Sequence, residues 1–293
     1  MFATLNSAGL ETIANMLWQR QLRWFRPSRR PARLVCLALL LATFSGSFLA
    51  ASGQQLVGNN SLAGVGETDA VRMEREFREA SERFAAHTND AEAAWQFGRA
   101  CFNLADLTTN NSVRAEVAEK GIAACRVSTA LQPGLAPGHY YLGMDLGQLA
   151  DTKRNLAALR MVKEMEREFL TTAALDEPFD YAGADRNLGL LYLRAPVIAS
   201  IGSRSKARLH FRRAVELAPA YPDNRLNLIE ALLKWGDLDA ARREAAYLEA
   251  LWPEARQKFS GAGWAASWLD WETRFQAVKR RTGQESKPAK HSG

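Results

Sequence analysis

Two prolines, Pro219 and Pro253, stand 34 residues apart, and the residues around them recur in a pattern that paired helices satisfy. The segment closed by Pro219 reads Ala207-x3-Phe211-x2-Ala214-x4-Pro219. The next unit carries Leu228, Leu232, Gly236-Asp237, Ala241, Ala245 and Leu248 before Pro253. Small residues such as Ala207, Ala214 and Ala241 let two helices approach closely, and Phe211 fills the space beside them. Gly236-Asp237 supplies a tight inter-helix turn, in which glycine tolerates positive φ. Pro219 and Pro253 are each expected to stop a second helix, because proline cannot continue the hydrogen-bond ladder.

Two further prolines extend the pattern less regularly. Pro133 closes a helix ending near Leu131 and is followed by Tyr141-Leu142-Gly143; Pro178 closes Ala173-x4-Pro178. The steps are 45 residues from Pro133 to Pro178 and 41 to Pro219, so two units carry insertions. One insertion lengthens a helix over 156–175. The other is the loop 195–203, which separates Leu188-Gly189 from Ala207. An earlier pair starts at Ala91 with Trp95 and Gly98, and a charged helix over 69–86 precedes it. After the last pair, Trp264, Trp268, Trp271 and Phe275 fall at i, i+4, i+7 and i+11, the stripe of a helix that covers the exposed apolar face of a terminal repeat. Apolar residues keep helical spacing throughout, with no convincing strand alternation. The expected fold is all-α: a helical-hairpin solenoid of four helix pairs over 67–282, with capping helices at both ends.

These spacings resemble the tetratricopeptide repeat (TPR), whose antiparallel helix pairs stack into a superhelix. Residues 91–253 carry the resemblance, most specifically over 204–253. Within that superfamily, residues 180–216 look like the T-component of TRAP (tripartite ATP-independent periplasmic) transporters. The matching run is Arg186-Asn187-Leu188-Gly189-Leu190-Leu191-Tyr192, then Pro196, Ile201-Gly202-Ser203 and Lys206-Ala207-Arg208-x2-Phe211. The chain departs from that family in having no lipid-anchor cysteine after its apolar run and in Ser203. A looser similarity is to the repeat domain of regulators of microtubule dynamics. Both relatives are binding proteins. The resemblance implies that first helices line a concave face, and its register selects Trp95, Arg99, Tyr140, Met144, Gln148, Arg186, Arg194, Asp223, Glu230 and Lys234 as candidate partner-binding residues. Mixed aromatic and charged side chains of this kind suit recognition of a protein or peptide. The register also places Cys101 on a first helix and Cys125 at its packing partner on the second. They are either a disulfide or two free core thiols.

The net charge of +6 is not a nucleic-acid signature, because residues 53–275 carry −3 and the basic excess sits at the two ends. In the segment 20–53, arginines precede an apolar run, 34–44, and small residues follow at Ala50-Ala51-Ser52. This reads as a signal peptide cleaved near Ser52 or Gly53; the rival reading is an uncleaved membrane anchor. In either case the arginines keep their side in the cytoplasm and the rest of the chain is exported, so residues 1–53 are its only expected contact with the membrane. Residues 54–66 read as a flexible linker, and 283–293 as a disordered tail.

No chemistry-bearing constellation appears. The histidines His87, His139, His210 and His291 are scattered without metal-ligand spacing, and His139 reads as structural. There is no phosphate loop and no G-x-S-x-G elbow. Glu164, Glu166 and Glu168 alternate with Lys163 and Arg167 as an ion-paired helix face. The expectation is therefore a non-enzymatic, cofactor-free scaffold in the cell envelope that binds a protein partner. The alternative is an accessory of a solute transport system that handles a small molecule beside the loop 195–203.

Overall fold

A computed structural model describes residues 69–153, 156–197 and 200–283. The expected export segment, the linker and the tail beyond Gly283 lie outside these residues. Among the described residues there is no strand. These residues contain ten α-helices in succession: α1 (Asp69–Ala86), α2 (Ala91–Leu107), α3 (Asn111–Leu131), α4 (Ala136–Thr152), α5 (Leu156–Leu175), α6 (Phe179–Arg194), α7 (Arg204–Leu217), α8 (Pro222–Lys234), α9 (Leu238–Lys258) and α10 (Ala265–Thr282). A single 3-10 turn, Ala262–Trp264, leads into α10. No described helix is long and apolar enough to cross a membrane.

Local chemistry sets the helix starts. The Asp90 side chain accepts from the Glu92 N–H at 2.8 Å, and Asn110 accepts from Ser112 at 2.9 Å, so both cap orphan donors of a first turn. Prolines occupy the first turn of α4 and α8, where no N–H is needed. Gly236 takes φ +76° in the turn between α8 and α9, as its position requires.

The helices form four antiparallel pairs, α2/α3, α4/α5, α6/α7 and α8/α9. Glycine on the first helix of a pair admits a ring from the second. A Cβ at Gly189 would lie 2.5 Å from the Phe211 ring, and one at Gly143 would lie 2.7 Å from Phe169. Both rings are fully buried. In the first pair Gly98 admits the smaller Cys125 Sγ in the same way.

First helices of successive pairs touch one another directly (α2 with α4, α4 with α6, α6 with α8), whereas second helices make their main contacts to first helices. Elements that meet on one side and splay on the other must curve. The first helices therefore line the concave side. At the end of the stack α10 packs on α8 and α9, where the first helix of a further pair would sit. Trp268, Trp271, Phe275 and Val278 are its buried stripe, so the expected covering role of this helix is met.

One expected boundary is corrected. Pro253 does not end α9, which runs through it to Lys258. The missing N–H removes one ladder bond, but the following turn buries Ala255 and Phe259, and Phe259 packs against Tyr221, Trp264 and Trp271. That packing outweighs the lost bond. Because Pro253 is itself exposed, Pro253→Ala should restore the bond and raise stability by about 2–2.5 kcal/mol, the helix-interior penalty of roughly 3 kcal/mol less the roughly 0.4–1 kcal/mol of entropy regained by the unfolded chain. A denaturant midpoint that fell in this variant would contradict the reading of Pro253 as a tolerated defect.

Candidate functional site

The concave wall is built from side chains that reach across neighbouring first helices. Trp95, Tyr140 and Arg186 each precede the glycine of their own helix by three residues, so they occupy equivalent places on α2, α4 and α6. Their fates differ.

Trp95 is half-buried and stacks on Tyr141 of α4, with ring centroids 5.8 Å apart and planes 4° from parallel. Its indole N–H donates to Glu92 at 2.7 Å. The exposed Arg99 lies with its guanidinium 5.5 Å from the Trp95 ring centroid. Phe179 of α6 meets Tyr141 edge-on at 6.5 Å. These side chains form an aromatic platform with one cation, accessible across the first three pairs.

Tyr140 and Arg186, by contrast, are buried in an internal network. Asp180, Tyr181 and Ala182 have φ of 50°, 56° and 60°, so α6 begins with a left-handed turn of three non-glycine residues. Such residues cost roughly 1–2 kcal/mol each, and the turn is braced accordingly. Arg186 donates through Nη1 to the carbonyls of Asp180 and Tyr181, both at 3.2 Å, and through Nη2 to the Asp180 carboxylate at 2.7 Å. Asn224 of α8 donates to the Tyr181 carbonyl at 2.9 Å, and the Tyr140 hydroxyl donates to Asp180 at 2.5 Å. Asn187 donates to the Tyr140 oxygen and to Met144 Sδ, both at 3.2 Å. Burial alone would favour loss of the Arg186 proton, but the carboxylates of Asp180 and Asp223 hold the group protonated.

The wall continues through α8 to α10. Arg274 donates to both Glu230 oxygens, at 2.8 and 3.1 Å, to Asn227 at 2.6 Å and to Asp223, which also lies 3.5 Å from Arg186. Burial would raise the Asp223 pKa, but Arg274 and Arg186 more than reverse it and hold it below the ordinary carboxylate value. Towards the other end, Gln148 is buried and donates to Asp106 of α2 at 3.3 Å. Arg194 and Lys234 end α6 and α8; partial burial and the like charge of Arg194 push Lys234 below the ordinary lysine value.

Of the ten candidates from the sequence, Trp95 and Arg99 therefore belong to the open platform. Tyr140, Met144, Gln148 and Arg186 are buried and bonded within the chain. Asp223 and Glu230 are engaged by Arg274, Arg194 is part-buried, and Lys234 is exposed. Sequence reasoning missed Tyr141, Asp180, Asn224 and Arg274. The one available signal was Tyr141, the neighbour of Tyr140, one residue out of register.

In the structure Cys101 and Cys125 are buried free thiols; the Cys125 Sγ is turned into the Gly98 slot, 4.0 Å from Asp145. His139 bridges Glu168 at 2.6 Å and the Pro133 carbonyl at 2.9 Å, as a structural histidine does. Among the described residues no group of His, Cys, Asp or Glu could hold a metal.

The fold is similar to the crystal structure of a thermophilic TPR protein of Thermus thermophilus, with 17% identity, a TM-score of 0.52, and coverage of 71% of this chain and 90% of that one. The crystal structure of the MamA protein matches with 16% identity and a TM-score of 0.44, over 65% of this chain and 88% of that one. No protein-family model and no curated protein matches the chain. The expected TPR-like architecture is thus met in its fold.

Proposed function

We propose that the chain is a scaffold that binds a protein partner through its concave groove, in the part lined by α2, α4 and α6, and that it is not an enzyme. The observation that supports this reading best is the Trp95–Tyr141 stack with Arg99 beside it. Half-exposed aromatic rings next to an exposed arginine are the side chains that most often anchor a partner. The groove towards α8 and α10 is self-complemented, with its acids answered by Arg186 and Arg274.

An envelope location remains part of the proposal on the strength of residues 20–53 alone. The transport-accessory alternative is weaker. Arg186 and Asn187, which carry that resemblance, are bonded inside the fold.

The test is capture of partners from envelope extracts by the wild type and by Trp95→Ala and Arg99→Glu, with circular dichroism to confirm folding. Loss of an anchor residue should weaken a specific partner about 30-fold, as expected for about 2 kcal/mol. Unchanged capture by both variants would place the interaction elsewhere.

A further inference from the structure

The least compensated group among the described residues is not on the surface. Asp145 of α4 is fully buried, and its Oδ1 has no hydrogen-bond partner among the described residues. Its carboxyl group is wedged between α2 and α3 at positions where both facing residues are glycine. A Cβ at Gly121 would lie 2.3 Å from Oδ2, and one at Gly98 would lie 3.6 Å from it. The contact to Oδ2 is the Cys125 thiol at 4.0 Å, a weak donor.

The titratable groups around this slot do not neutralise it. From α2 comes the buried thiol of Cys101, and from α3 the buried thiol of Cys125; burial raises both above the ordinary thiol value, so both are neutral. Lys120 of α3 points to Glu116 on its own helix, at 2.8 Å. On α4, burial raises Tyr141 as well, which keeps it neutral, and Arg99 of α2 lies over the Trp95 ring. Among the described residues no ion pair to Asp145 is present. A carboxylate in such a place would be strongly disfavoured unless protonated. Burial indeed raises the Asp145 pKa well above 3.8.

We propose that Asp145 is a proton-controlled joint between the first two helix pairs. Neutral, its carboxyl group lets α4 close onto α2 and α3; once it releases its proton to water, the carboxylate draws solvent into the slot and loosens α2 and α3 from α4. The Trp95–Tyr141 platform spans the same joint. On the reading that this platform is the partner site, binding there is regulated by pH and weakens under alkaline conditions.

The sign is opposite to ordinary acid denaturation. In the opened state Asp145 titrates near its ordinary value, whereas in the closed state it holds its proton to higher pH. The closed state is therefore favoured most at low pH, and the opening equilibrium rises tenfold per pH unit above about 4 until the closed form itself ionises.

The experiment is hydrogen–deuterium exchange of the full chain between pH 5 and 9, corrected for intrinsic exchange, on the wild type and on Asp145→Asn. The amides of α2 and α3 should lose protection with rising pH in the wild type by up to tenfold per unit, while those of α8 and α9 hold theirs. In Asp145→Asn the dependence of α2 and α3 should vanish. Uniform or absent pH dependence in the wild type would overturn the joint, as would an unchanged profile in the variant. Should Asp145→Asn fail to fold, the wild-type contrast between α2–α3 and α8–α9 decides alone. Partner binding is scored separately. A pH-sensitive joint with unchanged partner capture by both Trp95→Ala and Arg99→Glu leaves the joint standing and removes the groove reading.

Discussion

Arg274→Ala should destabilise the C-terminal part of the stack by about 3 kcal/mol, the low end of the 3–5 kcal/mol for breaking a buried ion pair on one side. The low end applies because Glu230 keeps 39% of its side chain exposed and Asp223 keeps 24%, so solvent screens part of the loss. Arg274 joins Asp223, Asn227 and Glu230 of α8 to Asp270 of its own helix. Its removal leaves three acids facing one another across α8 and α10. The loss should be local, since repeat arrays are stabilised by nearest-neighbour interfaces. Exchange protection of α8 and α10 should fall while that of α2 and α3 is kept.

The acid limb of the stability profile gives a second readout. Asp223 is held below its ordinary pKa in the folded protein. It therefore contributes stability above about pH 4 that is lost as pH falls through its folded value. In Arg274→Ala that limb should flatten. Arg274→Lys should recover little, because an ammonium cannot make the same forked set of bonds. A loss below 1 kcal/mol in chemical denaturation would show that these pairs act as ordinary surface ion pairs.

Arg186→Ala is expected to cost about 3–5 kcal/mol, because it removes the brace of the left-handed turn. Arg186 is 8% exposed as a side chain and satisfies two backbone carbonyls and the Asp180 carboxylate at once. Its guanidinium also lies 5.1 Å from the Tyr221 ring centroid. Without it, Asp180 sits beside the buried Tyr140 with no cation. The three left-handed residues then have only Asn224 to hold the Tyr181 carbonyl. The first turn of α6 should refold towards ordinary geometry or fray. Exchange of α6 amides and titration of Tyr140, which burial keeps well above the ordinary tyrosine value, would both report it. A variant with wild-type protection over α6 would mean that the turn is held by its surroundings without the arginine.

Much of this architecture was legible in the residues. The spans of α1 and α5, the long loop before α7 and the Gly236 turn follow from apolar spacing and from where glycine and proline fall. The register of the concave face was legible only in part. It chose Tyr140 over Tyr141, and on a helix a one-residue error turns a side chain by about 100°, from groove to core. Pro253 misled because a local rule met a tertiary contact, the burial of Phe259 beneath Trp264 and Trp271. Arg274 was passed over because its α8 partners lie 44 to 51 residues away in the chain. Read locally, it is one more charge on the polar face of a tryptophan-striped helix.

The chain by itself determined that helices form, how long they are and that they pair, because period, caps and turn residues act over a few neighbouring positions. Only the tertiary structure decided which charges meet, which aromatic rings stay open to solvent and that Asp145 is sealed between two glycines. Those outcomes depend on which helices approach and how closely, and a carboxylate reads the same in sequence whether water or a packed backbone surrounds it.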